Sequence, residues 1–384
     1  MFGPRILSSK RLEKPRNAPT SAVFSKDRDS PNRCGGWAIG AGCAGLDQST
    51  QPQPSRLEQA RAYSAKKAGD ALLVWKEGDL ILEAYQNGYD PEQPHILTEV
   101  SALFPALTAL TLVDDSLLAL DEPIARVVEG WRSSPQKSKI TLSHLLHRTS
   151  GLKQYGVGQG TVPAYEEALT APIVGGPGER FRFGYADVQA LGAVFERTDA
   201  KRPMMKECLF LPLGIPGGRW LGASQDSEGE TSAVSPQAPP LSMRLYDGAH
   251  LAARHLGRIG RMLLRGGQWK GKAILENLAP LTEPTPASPG YGAGVWLNVP
   301  LGSIPQAQFE RFWSQVPESI LLAHDEKRLI YDGAPPQMYM AAGRYNQRLY
   351  VLPSKEMVIV RLGRADRTWS DAEFLTRLLG GKSL

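Results

Sequence analysis

Apolar residues gather into two pairs of short runs at opposite ends of the chain. Near the start, Ala71–Trp75 and Leu80–Tyr85 read as strands joined at Glu77-Gly78-Asp79, a hairpin. Near the end, Arg348–Leu352 and Met357–Leu362 read as a second hairpin turning at Pro353-Ser354-Lys355-Glu356. Helical spacing marks the rest: Leu57, Ala60 and Tyr63; Leu107–Val113; Leu142–Leu146; the stretch RLYDGAHLAARHLGRIGRMLLRGG from Arg244 to Gly267; and DAEFLTRLLGG, with Gly after its last turn. Strands at both ends with helices between predict an α/β (α+β) fold, in which an antiparallel sheet is assembled from chain-distant segments, flanked by helices and interrupted by a mainly helical region. The sheet is expected from about 58–125 and 290–384, and the helical region from about 126–289. Residues 1–57 mix Pro, Ser, Asn and charge without periodicity and read as a disordered basic extension.

Composition narrows the function classes. No run approaches eighteen consecutive apolar residues, so no membrane-spanning helix is predicted. The formal net charge is +5, and residues 1–57 supply all of it, nine Lys/Arg standing against Glu13, Asp27, Asp29 and Asp47. The remainder balances, which gives no argument for nucleic acid. Cys34, Cys43 and Cys208 are odd in number and lack C-x-x-C spacing, so neither a disulfide framework nor a zinc ribbon is indicated. The segment WAIGAGCAGL (Trp37–Leu46) reads either as the remnant of a signal-peptide apolar region or as part of the extension, leaving export and cytoplasmic residence both open.

The most specific string is ITLSHLLHRTSGL (Ile140–Leu152). On its own it is a short amphipathic helix ended by Gly151. Further strings follow a recognisable order around it: NGYDPEQPH, LVDDSLLALDEPI, PGERF (Pro177–Phe181), LLRGGQWKGKAIL (Leu263–Leu275), YGAGVWLN (Tyr291–Asn298) and AAGRYNQRLYVLPSKEMVIVRLG (Ala341–Gly363). Together, over about residues 57–384, they resemble the serine β-lactamase and penicillin-binding-protein superfamily, in particular its class C β-lactamase-like and esterase branch. The resemblance implies the β-lactamase/DD-peptidase-like fold and no cofactor.

It also implies a specific chemistry. A serine opens a helix whose backbone N–H groups polarise the attacked carbonyl, and a lysine three residues later shares its face to take the hydroxyl proton. A tyrosine from a second motif relays protons, and a strand-borne third motif helps to form the oxyanion site. Registering F-x-x-L-x-x-x-x-L-V-D-D puts Glu99 at the serine position and Ala102 at the lysine position. Counting from Pro177-Gly178 puts Phe183 at the tyrosine position, two residues before Tyr185. The third motif survives as Gly343 and Gln347 in A-G-x-x-x-Q-R. Nucleophile, base and auxiliary hydroxyl are all replaced.

Neighbouring groups offer few substitutes. Ser101 is two residues from the expected nucleophile, a turn of roughly 200° on a helix, and its own i+3 position is Phe104. Pro105 suits a first helical turn, so the helix can begin near Phe104 and leave Glu99, Val100 and Ser101 in the segment before it. Glu99 reads as a capping acid, favoured by about 0.3–1 kcal/mol at a helix start, or else as a carboxylate nucleophile or general base. Ser150 and His147 look like parts of a triad but fall in a turn that the resemblance makes structural. His144 and His147 lack a third ligand, His250 and His255 have the wrong spacing for one helical face, and no metal site is expected. Tyr291 and Trp296 are expected in the cleft wall or the core. Three readings follow: an inactive homologue keeping a cleft for a small-molecule, peptide or glycan ligand; an active hydrolase of an ester, amide or cell-wall peptide working through Glu99, Ser101 or Tyr185; and a structural module that binds a protein partner.

Overall fold

The computed structural model describes residues 54–155, 162–199, 203–216, 219–223, 242–320 and 327–380. Most of the expected basic extension lies outside the described residues. The first helix, α1, spans Arg56–Lys66 and is capped by Ser55, whose hydroxyl accepts the Glu58 N–H.

Strands β1 (Gly69–Lys76) and β2 (Asp79–Tyr85) form the first hairpin. Three short strands follow, β3 (His95–Ile96), β4 (Arg219–Trp220) and β5 (Ala249–Leu251), then a small hairpin of β6 (Gln268–Trp269) and β7 (Lys272–Ala273). The C-terminal part contributes β8 (Trp296–Leu297), β9 (Tyr339–Gly343), β10 (Gln347–Leu352) and β11 (Met357–Gly363). The main sheet has the order β2-β1-β11-β10-β9-β8, every neighbouring pair antiparallel. A second sheet has the order β3-β5-β4.

The first strand is apolar from Ala71 to Trp75 rather than alternating because both of its faces are covered. Leu73 and Trp75 enter the core beneath a later helix, Ala253–Leu264, while Leu72 and Val74 join the cluster that holds α1 and the last helix, Asp371–Leu379. Between these the described helices are α2 (Leu103–Asp114), α3 (Leu142–Leu146), α4 (Tyr165–Thr170) and α5 (Ala186–Thr198), so Ala253–Leu264 is α6; α7 (Ala279–Thr282) and α8 (Gln306–Trp313) precede α9 (Asp371–Leu379). Helix α6 lies against the sheet through Gly257, where a Cβ would come within 2.1 Å of the Trp75 ring.

The helical pattern from Arg244 to Gly267 is only partly helix. Its first third folds as a tight loop closed by Gly248 N–H donating to Arg244 C=O (2.8 Å), followed by β5, because Ala249–Leu251 pairs with β3 and β4. Helix α2 is buried from Leu103 to Leu112, which explains its apolar character all round. It starts four residues before Leu107, with Pro105 in its first turn, and is preceded by a 3-10 turn at Thr98–Ala102. No helix among the described residues is long and apolar enough to cross a membrane.

Candidate functional site

The 3-10 turn is held from two sides. Leu97 N–H donates to Ala249 C=O (2.8 Å), and the Ser101 hydroxyl donates to Thr98 C=O (2.5 Å) while accepting the Ala249 N–H (3.0 Å). Ser101 is fully buried, with its oxygen engaged on both sides. It pins the turn to β5. On the other side β9 ends against the same turn. A Cβ on Gly343 would lie 2.3 Å from Thr98 Oγ1 and 2.9 Å from the Glu99 nitrogen, so only glycine lets the strand approach this closely.

That approach brings the next residue, Arg344, onto Glu99. The Arg344 backbone N–H donates to Glu99 Oε2 (2.8 Å) and its Nε–H to Glu99 Oε1 (2.8 Å). The Arg344 Nη2 continues to Asp247 Oδ2 (2.9 Å). Asp247, in the loop before β5, also receives Arg244 through Nε on Oδ1 (2.8 Å) and Nη2 on Oδ2 (2.7 Å), and its Oδ2 accepts the Tyr185 hydroxyl (2.9 Å). Glu99, Asp247 and Arg244 are buried, and the Arg344 side chain is only 13% exposed. Two carboxylates and two guanidiniums therefore form an electroneutral lattice whose hydrogen bonds are nearly all charge-assisted.

The electrostatics match this packing. Burial raises the Glu99 carboxyl above its ordinary value, with the Arg344 guanidinium opposing the rise and the Asp247 charge adding to it. For Arg344 burial works against the charged form, but the carboxylates of Glu99 and Asp247 outweigh it and hold the guanidinium above its ordinary range. Burial, with the Asp247 charge adding to it, raises the Tyr185 phenol well above its usual value, so at neutral pH it is a hydrogen-bond donor rather than a base.

The remaining candidates fall around this lattice. Ala102 is buried at the start of α2, a methyl where the resemblance places a lysine, and no lysine donates to Glu99 among the described contacts. Phe183 is part of an aromatic cluster, its ring centroid 5.6 Å from those of Tyr246 and Trp296 and 6.5 Å from Tyr291. Tyr291 and Trp296 are core residues. Gln347 is turned away from the site: Nε2 donates to Gly363 C=O (2.7 Å) and Oε1 accepts the Gly363 N–H (3.1 Å), a side-chain rung between β10 and the end of β11.

The histidines are also spent locally. His144 Nδ1 accepts the Thr141 N–H (3.1 Å) in the cap of α3, and His147 faces the Ser143 and Glu283 carbonyls. Ser150 donates to Asp187 and accepts the Leu152 N–H (3.0 Å), a buried turn rather than a triad. Among the described residues no group of three or more His, Cys, Asp or Glu is placed to hold a metal ion.

Arg344, Asp247, Arg244 and Tyr246 are the site residues that sequence reasoning missed. Tyr246 is fully buried beside Phe183, with the Arg148 guanidinium 5.1 Å from its ring centroid and no hydrogen-bond partner for its hydroxyl among the described residues. A detectable signal did exist for Arg344: an arginine directly after the strand-ending glycine complements an acid at the nucleophile position.

The Beta-lactamase family model matches residues 55–379. The chain belongs to the beta-lactamase family. It shares that family's serine-hydrolase fold, as its sheet and helices show. Similar proteins include the 6-aminohexanoate-dimer hydrolase of Paenarthrobacter ureafaciens, 22% identical over 340 residues, an alignment covering 83% of this chain and 77% of that protein. Among solved structures, the hydrolase with promiscuous acyltransferase activity EstCE1 superposes with a TM-score of 0.59 at 18% identity, covering 84% of this chain and 96% of that one. A penicillin-binding-protein homologue from Caulobacter crescentus gives 0.57 at 15% identity, covering 86% and 97%. At these identities the structures speak for the fold alone.

Proposed function

We propose that this chain is a catalytically silent member of the beta-lactamase family, a pseudoenzyme that serves in binding or scaffolding rather than hydrolysis. The observation that carries this reading is the placement of the Glu99 carboxylate. It takes the backbone N–H of Arg344, from the third motif to which the resemblance assigns an oxyanion donor, together with the guanidinium of the same residue. A carboxylate already bound there competes with any substrate carbonyl for the same donor. Nucleophile, base and auxiliary hydroxyl are absent at Glu99, Ala102 and Phe183, and loss of such a set leaves only what binding and polarisation contribute. Ser101 and Tyr185, the substitutes nearest in sequence, are both buried in hydrogen bonds to neighbouring groups.

Turnover assays test the reading. The purified full chain is offered a chromogenic β-lactam, short-chain nitrophenyl esters and the 6-aminohexanoate dimer, the last because a curated relative is named for it. No hydrolysis above that of a heat-denatured control is expected. Hydrolysis that disappears on substituting Glu99, Ser101, Tyr185 or Tyr246 would overturn the reading.

A further inference from the structure

Helix α6 carries Arg254, Arg258 and Arg261, and Arg265 caps its C-terminal end, at spacings of three and four along one stripe. Arg254 is neutralised by Glu83 (2.6 Å). Among the described residues no carboxylate pairs with the other three. Arg261 lies over two indoles, its guanidinium 5.4 Å from the Trp269 ring and 6.0 Å from Trp75, and its Nη2 donates to Gly78 C=O (3.3 Å). Its buried Nε has no hydrogen-bond partner among the described residues. Arg265 reaches the same turn, with its Nη2 3.5 Å from where a Gly78 Cβ would stand. Two guanidiniums thus converge on one β-turn. Burial lowers the Arg261 pKa, and the charges of Arg265 and Arg258 lower it further, the mark of cations lacking a counter-anion.

The edge strand β2 begins just past that turn. Leu80 stands opposite Trp75, on the α6 side of the sheet, and Ile81 follows in the irregular register between them. They are 40% and 41% exposed, among the few large apolar side chains of the described residues to be so open. Lys270, exposed in the hairpin after α6, extends the positive character. The acids at the turn offset little of it: Glu77 is paired with Lys76 (3.2 Å), and Asp79 stands alone in opposition.

We propose that this face docks on the surface of an anionic lipid bilayer, with Arg258, Arg261 and Arg265 meeting headgroup phosphates and Leu80 and Ile81 entering the interfacial layer. Guanidinium forks match phosphate oxygens, and apolar side chains set beside cations gain from both burial and charge at a bilayer surface. An acidic protein is the alternative occupant, and the experiment below separates the two.

Co-sedimentation of the full chain with vesicles tests this. Vesicles of phosphatidylcholine alone are compared with vesicles containing phosphatidylglycerol, at low and high salt, for the native chain, Arg258→Gln/Arg265→Gln and Leu80→Ser/Ile81→Ser. Because every form keeps residues 1–57, differences between forms report on the α6 face and not on the basic tail. Thermal melting establishes that each variant is folded, and a second pair, Arg258→Lys/Arg265→Lys, keeps the charge should the glutamine pair fail to fold. The native chain is expected to bind phosphatidylglycerol vesicles selectively, the arginine-to-glutamine pair about thirtyfold more weakly, the serine pair more weakly at high salt, where charge is screened, and the lysine pair nearly as well as native. Equal binding to both vesicle types, no binding by the native chain, or unchanged binding by the glutamine and serine pairs overturns the proposal. So does binding of soluble polyglutamate through these arginines without any binding to vesicles, which would make an acidic protein the occupant.

Discussion

The Glu99 carboxylate is clasped by Arg344, a residue 245 positions further along the chain, through both its backbone N–H and its Nε–H at 2.8 Å each. One side chain comes from the turn where the resemblance expects a nucleophile and the other from the strand end that it expects to polarise the substrate. The acid and the arginine fit each other, so the position expected for the nucleophile holds a buried ion pair.

The pair's removal should therefore be strongly non-additive. Arg344→Leu leaves Glu99 and Asp247 as buried acids without their shared cation, and Glu99→Leu leaves Arg344 leaning on Asp247 alone. Breaking a buried pair from one side costs about 3–5 kcal/mol, whereas replacing both partners by apolar groups often costs little. Chemical denaturation of the two single variants and the double variant should give a double variant less destabilised than the sum of the singles by more than about 1 kcal/mol.

Gly343→Ala should destabilise by about 1–3 kcal/mol through overpacking. The added methyl meets Thr98 Oγ1 and the Glu99 and Leu97 backbone. Backbone conformation gives no part of this cost, because Gly343 is extended at φ −142°. The melting temperature checks it, and Gly130→Ala, where no atom stands near the new methyl, is the matched control.

Asp187 supplies a pH signature. Burial raises its carboxyl from 3.8 to about 6, with Ser150 and Arg148 opposing. The folded state holds this proton more tightly than the unfolded chain, so the group's stabilising contribution is complete below about pH 4 and declines as the pH rises through about 6. Asp187→Asn removes the titration but also disturbs the Ser150 contact. The variant is expected to be less stable than native at acid pH, with a deficit that shrinks as the pH is raised from about 4 to above 6. A deficit constant over that range would place the Asp187 proton elsewhere.

How much of this was legible in the sequence depended on separation along the chain. The hairpins, α1, α3 and α9 are local patterns with their own turns and caps, so the residues announce them directly. The motif strings registered Glu99, Ala102 and Phe183 because each lies in a segment with a fixed internal count. The loop holding Asp247 falls in a stretch whose later residues carry the helical pattern, and the competing strand pairing of Ala249–Leu251 with β3 and β4 involves partners far away. Gln347 kept a family spacing while its side chain pointed elsewhere, a matter of χ angles that no spacing records. Arg344 was visible as a letter, but its role exists only where Gly343 lets β9 meet the turn at Glu99.

Restoring the lost groups should fail unless Arg344 is also changed. Glu99→Ser, Ala102→Lys and Phe183→Tyr together rebuild the expected nucleophile, base and hydroxyl, yet Arg344 still pairs with Asp247 (2.9 Å) and lies across the restored serine. This triple variant should remain unlabelled by a fluorescent penicillin, while the same variant with Arg344→Ser should gain measurable labelling. Equal labelling of both would show that Arg344 does not obstruct the centre.

The most direct test of a silent centre is the intact mass of the native chain after prolonged incubation with excess fluorophosphonate and, separately, with a penicillin. The mass should remain that of the unmodified protein, because the position of the nucleophile is a carboxylate held by Arg344 and the Ser101 hydroxyl is buried in two hydrogen bonds. A single stoichiometric adduct mapping to Ser101, Tyr185 or Tyr246 would contradict the account.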